Sequence, residues 1–420
     1  MKAFREIFAL QVTALVRSKA LALLLAASSA WMFLVPRLVA DDGTADGAHQ
    51  VFVRYSLGGV FALLAICLGA AAAGSISSDR ALRRLQLTLV RPVRHSVVAL
   101  GRIAALTAVA ALVMSVAAGI ALLRADPSRP CFGELSPVME SPREEAERMY
   151  AVFMADPETP ENVKRAKKSA VVKLLTQKAV DHYQTVSSNE TARWTFPEVP
   201  SGSSESVAVR LRFTTLFNTR EDVVGDFTFG DMRASVSNIT QAVVTIPLAG
   251  GAPPKGAAEL VFANRGENSL MLRPRRDITL LCRAKGDTFA YGLILAVAVD
   301  VCVLAAIISL SMFLGAGLGK SVAVFAVMTV LFMTSVSSTI VEQYPYELET
   351  NRKDQIGLVL TRFMEQATSP VGSFNPIDAL AEDRRVSARE LARAVVLDLL
   401  ALPLLLSLLA GLVMSRKTMD

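Results

Sequence analysis

Six long apolar blocks interrupt an otherwise mixed chain, at residues 20–39, 57–75, 103–123, 289–314, 321–341 and 392–414. Each is close to the roughly 20 residues that a helix needs to cross a hydrocarbon core. The third is the cleanest, with no charge between Arg102 and Arg124, and the first ends early at Pro36 and Arg37. Ahead of it, Phe4, Phe8, Val12, Leu15 and Val16 recur at helical spacing with Lys2, Arg5 and Glu6 off that stripe. This predicts an amphipathic helix over residues 1–19, lying in a membrane interface. No small-residue cleavage site precedes a mature domain, so the first block reads as a retained span rather than a signal peptide.

Residues 124–288 have a different pattern. Ser141, Pro142 and Glu144 supply an N-cap, a first-turn proline and a capping acid, and Thr159 with Pro160 opens a second helix. That helix has an apolar stripe through Val163, Ala166, Ala170, Leu174 and Val180. From Thr191 short alternating runs take over: TARWTFPEV, SVAVRLRFTTLF, DVVGDFTFGD, QAVVTIPL, AAELVFANR and SLMLRPRRDITLLC. Runs of that length and spacing predict an antiparallel β-sandwich or jelly roll. The expected fold is therefore an α-helical polytopic membrane protein with six transmembrane helices. Its extracytoplasmic α+β insert is helical over 141–185 and β-rich over 190–285. A second insert, 342–391, carries Asn375 before Pro376 and a capping box at Ser387 and Glu390, which predict short helices leading into the last span.

Charge orients these elements. The chain has 44 Lys and Arg against 38 Asp and Glu, a net charge of +6, and a mean hydropathy of +0.42. A charged fraction of 20% is near that of ordinary domains, so the apolar excess is concentrated in the blocks. Lys2, Arg5, Arg17 and Lys19 precede the first block. Arg80, Arg83, Arg84, Arg91, Arg94 and Arg102 fill the gap between the second and third, Lys320 follows the fourth, and Arg416 and Lys417 follow the last. Asp41, Asp42 and Asp46 follow the first block instead, with only Arg54. Basic loops stay on the cytosolic side, which places both termini in the cytosol and both inserts outside. The positive charge thus reports orientation and not nucleic-acid binding.

Candidate chemistry is sparse. Leu314–Ser321 reads LGAGLGKS, but a phosphate-binding loop needs Gly where Leu314 stands and should join a strand to a helix; this stretch joins two apolar blocks. His49, His95 and His182 are too scattered for a metal cluster, so no metal is expected. Asp300 and Asp398 fall inside the fourth and sixth blocks, where carboxyls are costly and face a bundle interior or a pathway. Cys67 and Cys302 also fall inside spans. Cys131 and Cys282 flank the insert; in an oxidising compartment they either close it as a disulfide or remain two thiols.

The most informative stretch is SSDRALRRLQLTLVRPVRHSVVALGR, between the second and third blocks. Taken alone it is a basic loop facing anionic lipid, with a short helix from about Arg80 to Leu89 ended before Pro92. Its Leu87, Thr88, Leu89, Pro92, Val93, Leu100 and Gly101, with Arg102 where the family has Lys, make it resemble the segment between the second and third spans of type-2 ABC exporter permeases. The amphipathic start, six spans, short outer helices and basic tail are similar to that family as well. The large insert departs from its minimal members.

The resemblance implies a coupling helix near residues 79–91, with Arg80, Arg83, Arg84, Leu85, Thr88, Leu89, Arg91 and Pro92 docking on a separate ABC ATPase (nucleotide-binding) subunit. It implies no cofactor on this chain, with ATP and Mg bound by that partner. It also implies a second permease protomer, identical or related, and a place in the bacterial cytoplasmic (inner) membrane. Two other readings stand beside the permease: a membrane-anchored scaffold whose insert engages the envelope, and an intramembrane enzyme using Asp300 and Asp398.

Overall fold

The computed structural model describes residues 2–40, 45–81, 94–139, 142–155, 184–197, 207–214, 221–240, 243–254, 256–274, 277–283, 286–343 and 376–417, with 168, 171–172, 175–176 and 199 between them. The chain divides into a helical unit, Met1–Cys131 with Thr288–Asp420, and an inserted unit, Phe132–Asp287.

In the helical unit, α1 (Lys2–Arg17) and α2 (Ala20–Leu38) are followed by α3 (Ala45–Val51). A π-helical segment π1 (Phe52–Leu57) joins α3 to α4 (Gly58–Ala81), and α5 (His95–Arg124) follows. The inserted unit contributes α6 (Pro142–Ala155). The helical unit resumes with α7 (Phe289–Gly317), α8 (Lys320–Gln343), α9 (Pro376–Ala381) and α10 (Ala388–Ala394). A second π-helical segment, π2 (Val395–Ala401), then leads into α11 (Leu402–Lys417). Among the described residues, five continuous helical stretches are long and apolar enough to cross a membrane: Ala20–Leu38, Gly47–Ser78, His95–Arg124, Phe289–Gly317 and Ala388–Arg416. That make-up is compatible with a multi-pass membrane protein. The α8 backbone is helical throughout, with a described apolar stretch from Lys320 to Phe332.

The central helix is α7, whose sequence is apolar on all sides; a helix of that kind is buried. It packs on α4, α5 and α11, and Leu293, Leu304, Ile308 and Met312 share a core with Leu64, Leu68, Leu106 and Val113. Small residues let the helices close: a Cβ on Gly315 would collide with the Ala73 carbonyl, and one on Gly411 would lie 2.8 Å from Ser96 N.

Two prolines shape their helices. Pro36 has no N–H for the Met32 carbonyl four residues back, and Arg124 Nη1 donates to that oxygen at 3.4 Å while its guanidinium lies 4.7 Å from the Phe33 ring centroid. Pro403 likewise offers no N–H to the turn before it, and that turn is π2.

The apolar stripe of α1 packs on the bundle. Phe4, Ile7, Phe8, Val12 and Leu15 are half-buried and α1 packs chiefly on α5, where Ile7 lies over Gly101, while Val16 is exposed.

Among its described residues the inserted unit holds two four-stranded antiparallel sheets. One has the order β1 (Gly133–Leu135), β10 (Ile278–Cys282), β4 (Val207–Arg212), β7 (Val243–Leu248). The other runs β3 (Thr191–Phe196), β8 (Ala258–Asn264), β5 (Asp222–Phe229), β6 (Met232–Ile239). A two-stranded ribbon pairs β2 (Gln184–Val186) with β9 (Leu270–Leu272). Alternation explains the shared core: Val209, Leu211, Phe227, Phe229, Leu260, Phe262 and Leu280 point inward from both four-stranded sheets. Phe213 and Phe262 lie 4.8 Å apart by ring centroid. Of the second predicted helix, only residues 168, 171–172 and 175–176 are described, and they are helical.

Candidate functional site

The two predicted carboxyls lie deep in the helical unit. Asp300, in the middle of α7, is 2% exposed, and Asp398, on π2, is 5% exposed. Asp300 Oδ2 and Asp398 Oδ1 have no hydrogen-bond partner among the described residues. Both carboxyls act electrostatically on the Cys302 thiol, and Arg393 acts on Asp398. Among the described residues no hydrogen bond joins the two carboxyls. Among the described residues no three His, Cys, Asp or Glu side chains are arranged to hold a metal ion.

At the Phe289 end of the bundle an ion-paired cluster holds α9. Its Pro376, Ile377, Ala379, Leu380 and Ala381 are buried against α7 and π1, so the short helix seats its apolar face in the bundle end. Its polar edge is clasped by cations from other segments. Arg54 on π1 donates from Nε to Asp378 at 2.8 Å and from Nη2 to Glu382 at 3.2 Å. Just past α9, Asp383 accepts a fork from Arg129, 2.6 Å from Nε and 2.7 Å from Nη2, with His49 Nε2 at 3.7 Å. His49 also meets the Phe289 ring edge-on at 5.0 Å. Arg129 is positioned by a turn in which Asp126 accepts from the Ser128 hydroxyl at 2.6 Å and the Ser128 N–H at 2.9 Å. These bonds, with the Arg129 charge, hold the Asp126 carboxyl below the usual carboxylate range. Sequence reasoning did not single out this cluster. Its signal was the acid-rich IDALAED after Pro376, which needed spatial partners to become legible.

At the opposite, Lys320 end, Arg80 lies in the last turn of α4, and Arg83, Arg84, Leu85, Thr88, Leu89, Arg91 and Pro92 fall outside the described residues. The helices bracketing that segment are tied together. Arg102 of α5, 5% exposed, donates from Nη1 to Ser75 O of α4 at 3.0 Å. A Cβ on the neighbouring Gly101 would meet Ile7 at 3.0 Å, and the Lys320 stem lies 3.2 Å from the Cβ position of Gly74.

Cys131 and Cys282 both carry thiols in the structure, one of the two states open from the sequence. Cys282 stands opposite Gly133 in the β1–β10 ladder and points into the sheet core, where burial pushes its thiol up to about 12. Cys131 is buried in the helical core, its Sγ 2.9 Å from the Cβ position of Gly292.

Protein-family models, curated proteins and solved structures give no match to this chain.

Proposed function

We propose that this chain is the six-span permease subunit of a bacterial ABC transporter, working as an exporter with a second permease protomer. In this reading a separate ATPase subunit binds ATP and Mg, hydrolyses the nucleotide, and presses on residues 79–91. The termini and that segment are cytosolic, α8 is the further span, and the two-sheet unit and α9 face outward. The observation that carries the reading is the bond from Arg102 to Ser75 O. It locks α4 to α5, the two helices from which the segment emerges, and both pack on the central α7. A displacement of residues 82–93 therefore enters the bundle through a tied helix pair instead of being absorbed by a loose loop. The resemblance of Leu87, Thr88, Leu89, Pro92 and Val93 to the coupling segment supplies the partner. The ion-paired α9 fits the outer closure that such a permease must open and reseal.

The test is co-purification of the full chain with an ABC ATPase subunit from the same cells, followed by measurement of stimulated hydrolysis. Leu85→Asp and Leu89→Asp place a charge on the apolar docking face and should abolish both association and stimulation, with the permease still monodisperse in detergent. Retention of both by the two variants overturns the assignment.

A further inference from the structure

Asp300 and Asp398 have no task in the coupling scheme. A buried polar atom without a partner is rare enough in folded proteins to demand an occupant or a role, and here two such atoms belong to carboxyls more than nine-tenths buried. Neither is explained as a helix cap: Asp300 stands mid-helix on α7, and Asp398 is on the π2 turn. Asp300 is flanked along α7 by buried Val299, Val303 and Leu304.

The charges facing them are few. The elements packed on α7 are α4, α5, α8, α9, α10, π2 and α11. Among the described residues, Arg393 on α10 is the charge that acts on Asp398, and burial alone acts on Asp300. Both carboxyls act electrostatically on the Cys302 thiol, which stands two residues after Asp300 on α7. Arg393 meets the Asp398 charge in part and no described group meets that of Asp300, so a carboxylate at either position in an apolar bundle needs a mobile positive charge. One carboxylate balances one positive charge, and the described side chains form no three-ligand metal site.

We propose that Asp398 and Asp300 are each a binding station for a monovalent cation, a proton or a sodium ion, inside the helical unit. Occupancy changes only what each carboxylate oxygen carries: the proton or ion arrives from solvent and returns to it, and no electrons are transferred. This goes beyond the permease reading and does not depend on the ATPase.

The experiment uses the purified full chain and dicyclohexylcarbodiimide, an apolar reagent for carboxylic acids. The acid O–H adds across the carbodiimide to an O-acylisourea, which rearranges to a stable N-acylurea detected by mass spectrometry of the peptides holding Asp300 and Asp398. Labelling is followed from mildly acid to alkaline pH in sodium and, separately, in choline salts. Both residues should label, and on the alkaline side of the midpoint labelling should fall about tenfold per pH unit. Equal curves in the two salts identify the proton as the occupant, and suppression by sodium but not choline identifies sodium. Asp300→Asn and Asp398→Asn should each remove only their own adduct. Absence of labelling at both residues, or labelling indifferent to pH and to both salts, overturns the proposal, and the wild-type titration alone decides should either variant fail to fold.

Discussion

Asp383 concentrates more of the bundle-end structure than any neighbour in sequence. Its φ of +56° is left-handed, a conformation that Asp tolerates better than most L-residues. That bend comes just after α9 and presents both carboxylate oxygens to the Arg129 fork at 2.6 and 2.7 Å. The pair is 20% exposed on each side, so its charge-assisted bonds keep much of their strength. Asp383→Ala should lower stability by about 2 kcal/mol, the usual cost of losing hydrogen bonds to a charged group. Asp383→Asn should fall between that variant and the wild type. Thermal unfolding in detergent gives the order, and an unchanged Ala variant would show that α9 is held by its apolar face alone. A second carboxylate, Asp226 on β5, accepts from the Ser235 hydroxyl at 2.8 Å and Arg265 Nε at 3.2 Å, and these bonds hold it below the usual range. Its folded value is depressed, so its contribution is complete above the ordinary carboxylate range and is lost as pH falls through the folded value. The melting difference between wild type and Asp226→Asn should therefore shrink toward acid pH; a difference that grows would contradict the bonding.

Elements differed in how far local sequence specified them. The Ser387 and Glu390 capping box was readable because both partners lie within one turn, and it forms with Glu390 N–H to Ser387 Oγ at 3.2 Å and Ser387 N–H to Glu390 Oε2 at 2.8 Å. Ser387→Ala should cost about 1 kcal/mol, visible as a lower melting temperature. Strand β6 escaped notice because its sequence, MRASVSNI, has small polar residues where a marked apolar alternation would signal a strand. The turn before it was legible: Phe229 pairs with Met232 across Gly230 and Asp231, and Gly230 has the φ of +61° that a two-residue hairpin needs at its first position. Asp300 and Asp398 stood out within apolar blocks, but how deeply each is buried depends on how π2 packs against α7, which periodicity does not encode. Helix contacts follow the same logic. Gly315→Ala should cost about 1–3 kcal/mol because the obstruction is the Ala73 backbone, which cannot rotate away. Gly119→Ala meets nothing within 4 Å and should be neutral or stabilising. Detergent melts of the two variants measure the contrast, and equal losses would remove close packing as its cause.

For the whole molecule, the insertion of the two-sheet unit is the decisive architectural fact. Its chain enters after Cys131 and returns at Thr288, and the helical unit holds these ends together by itself. Pro130 bridges Thr288, Phe289 N–H donates to Arg129 O at 2.8 Å, and the Thr288 side chain caps α7 by accepting from Tyr291 N–H. The helical unit has its own core and the sheets have another, with no residue common to the two among those described. Replacing residues 132–287 by a short Gly-Ser linker asks the chain only to cross between ends that already pair, and shortening a closed loop lowers its entropic cost. The excised chain should therefore elute as one species in detergent, retain its helical circular dichroism, and keep the stabilising effect of the Asp383–Arg129 pair. Loss of that effect, or aggregation with native-like linker lengths on either side of the first choice, would mean that the bundle end requires the inserted unit to form. In the proposed permease, the same variant should still associate with the ATPase through residues 79–91, since the end of α4 and the start of α5 that bracket them belong to the helical unit and not to the excised one. A transport defect with intact association would then assign the two-sheet unit to handling cargo instead of to coupling.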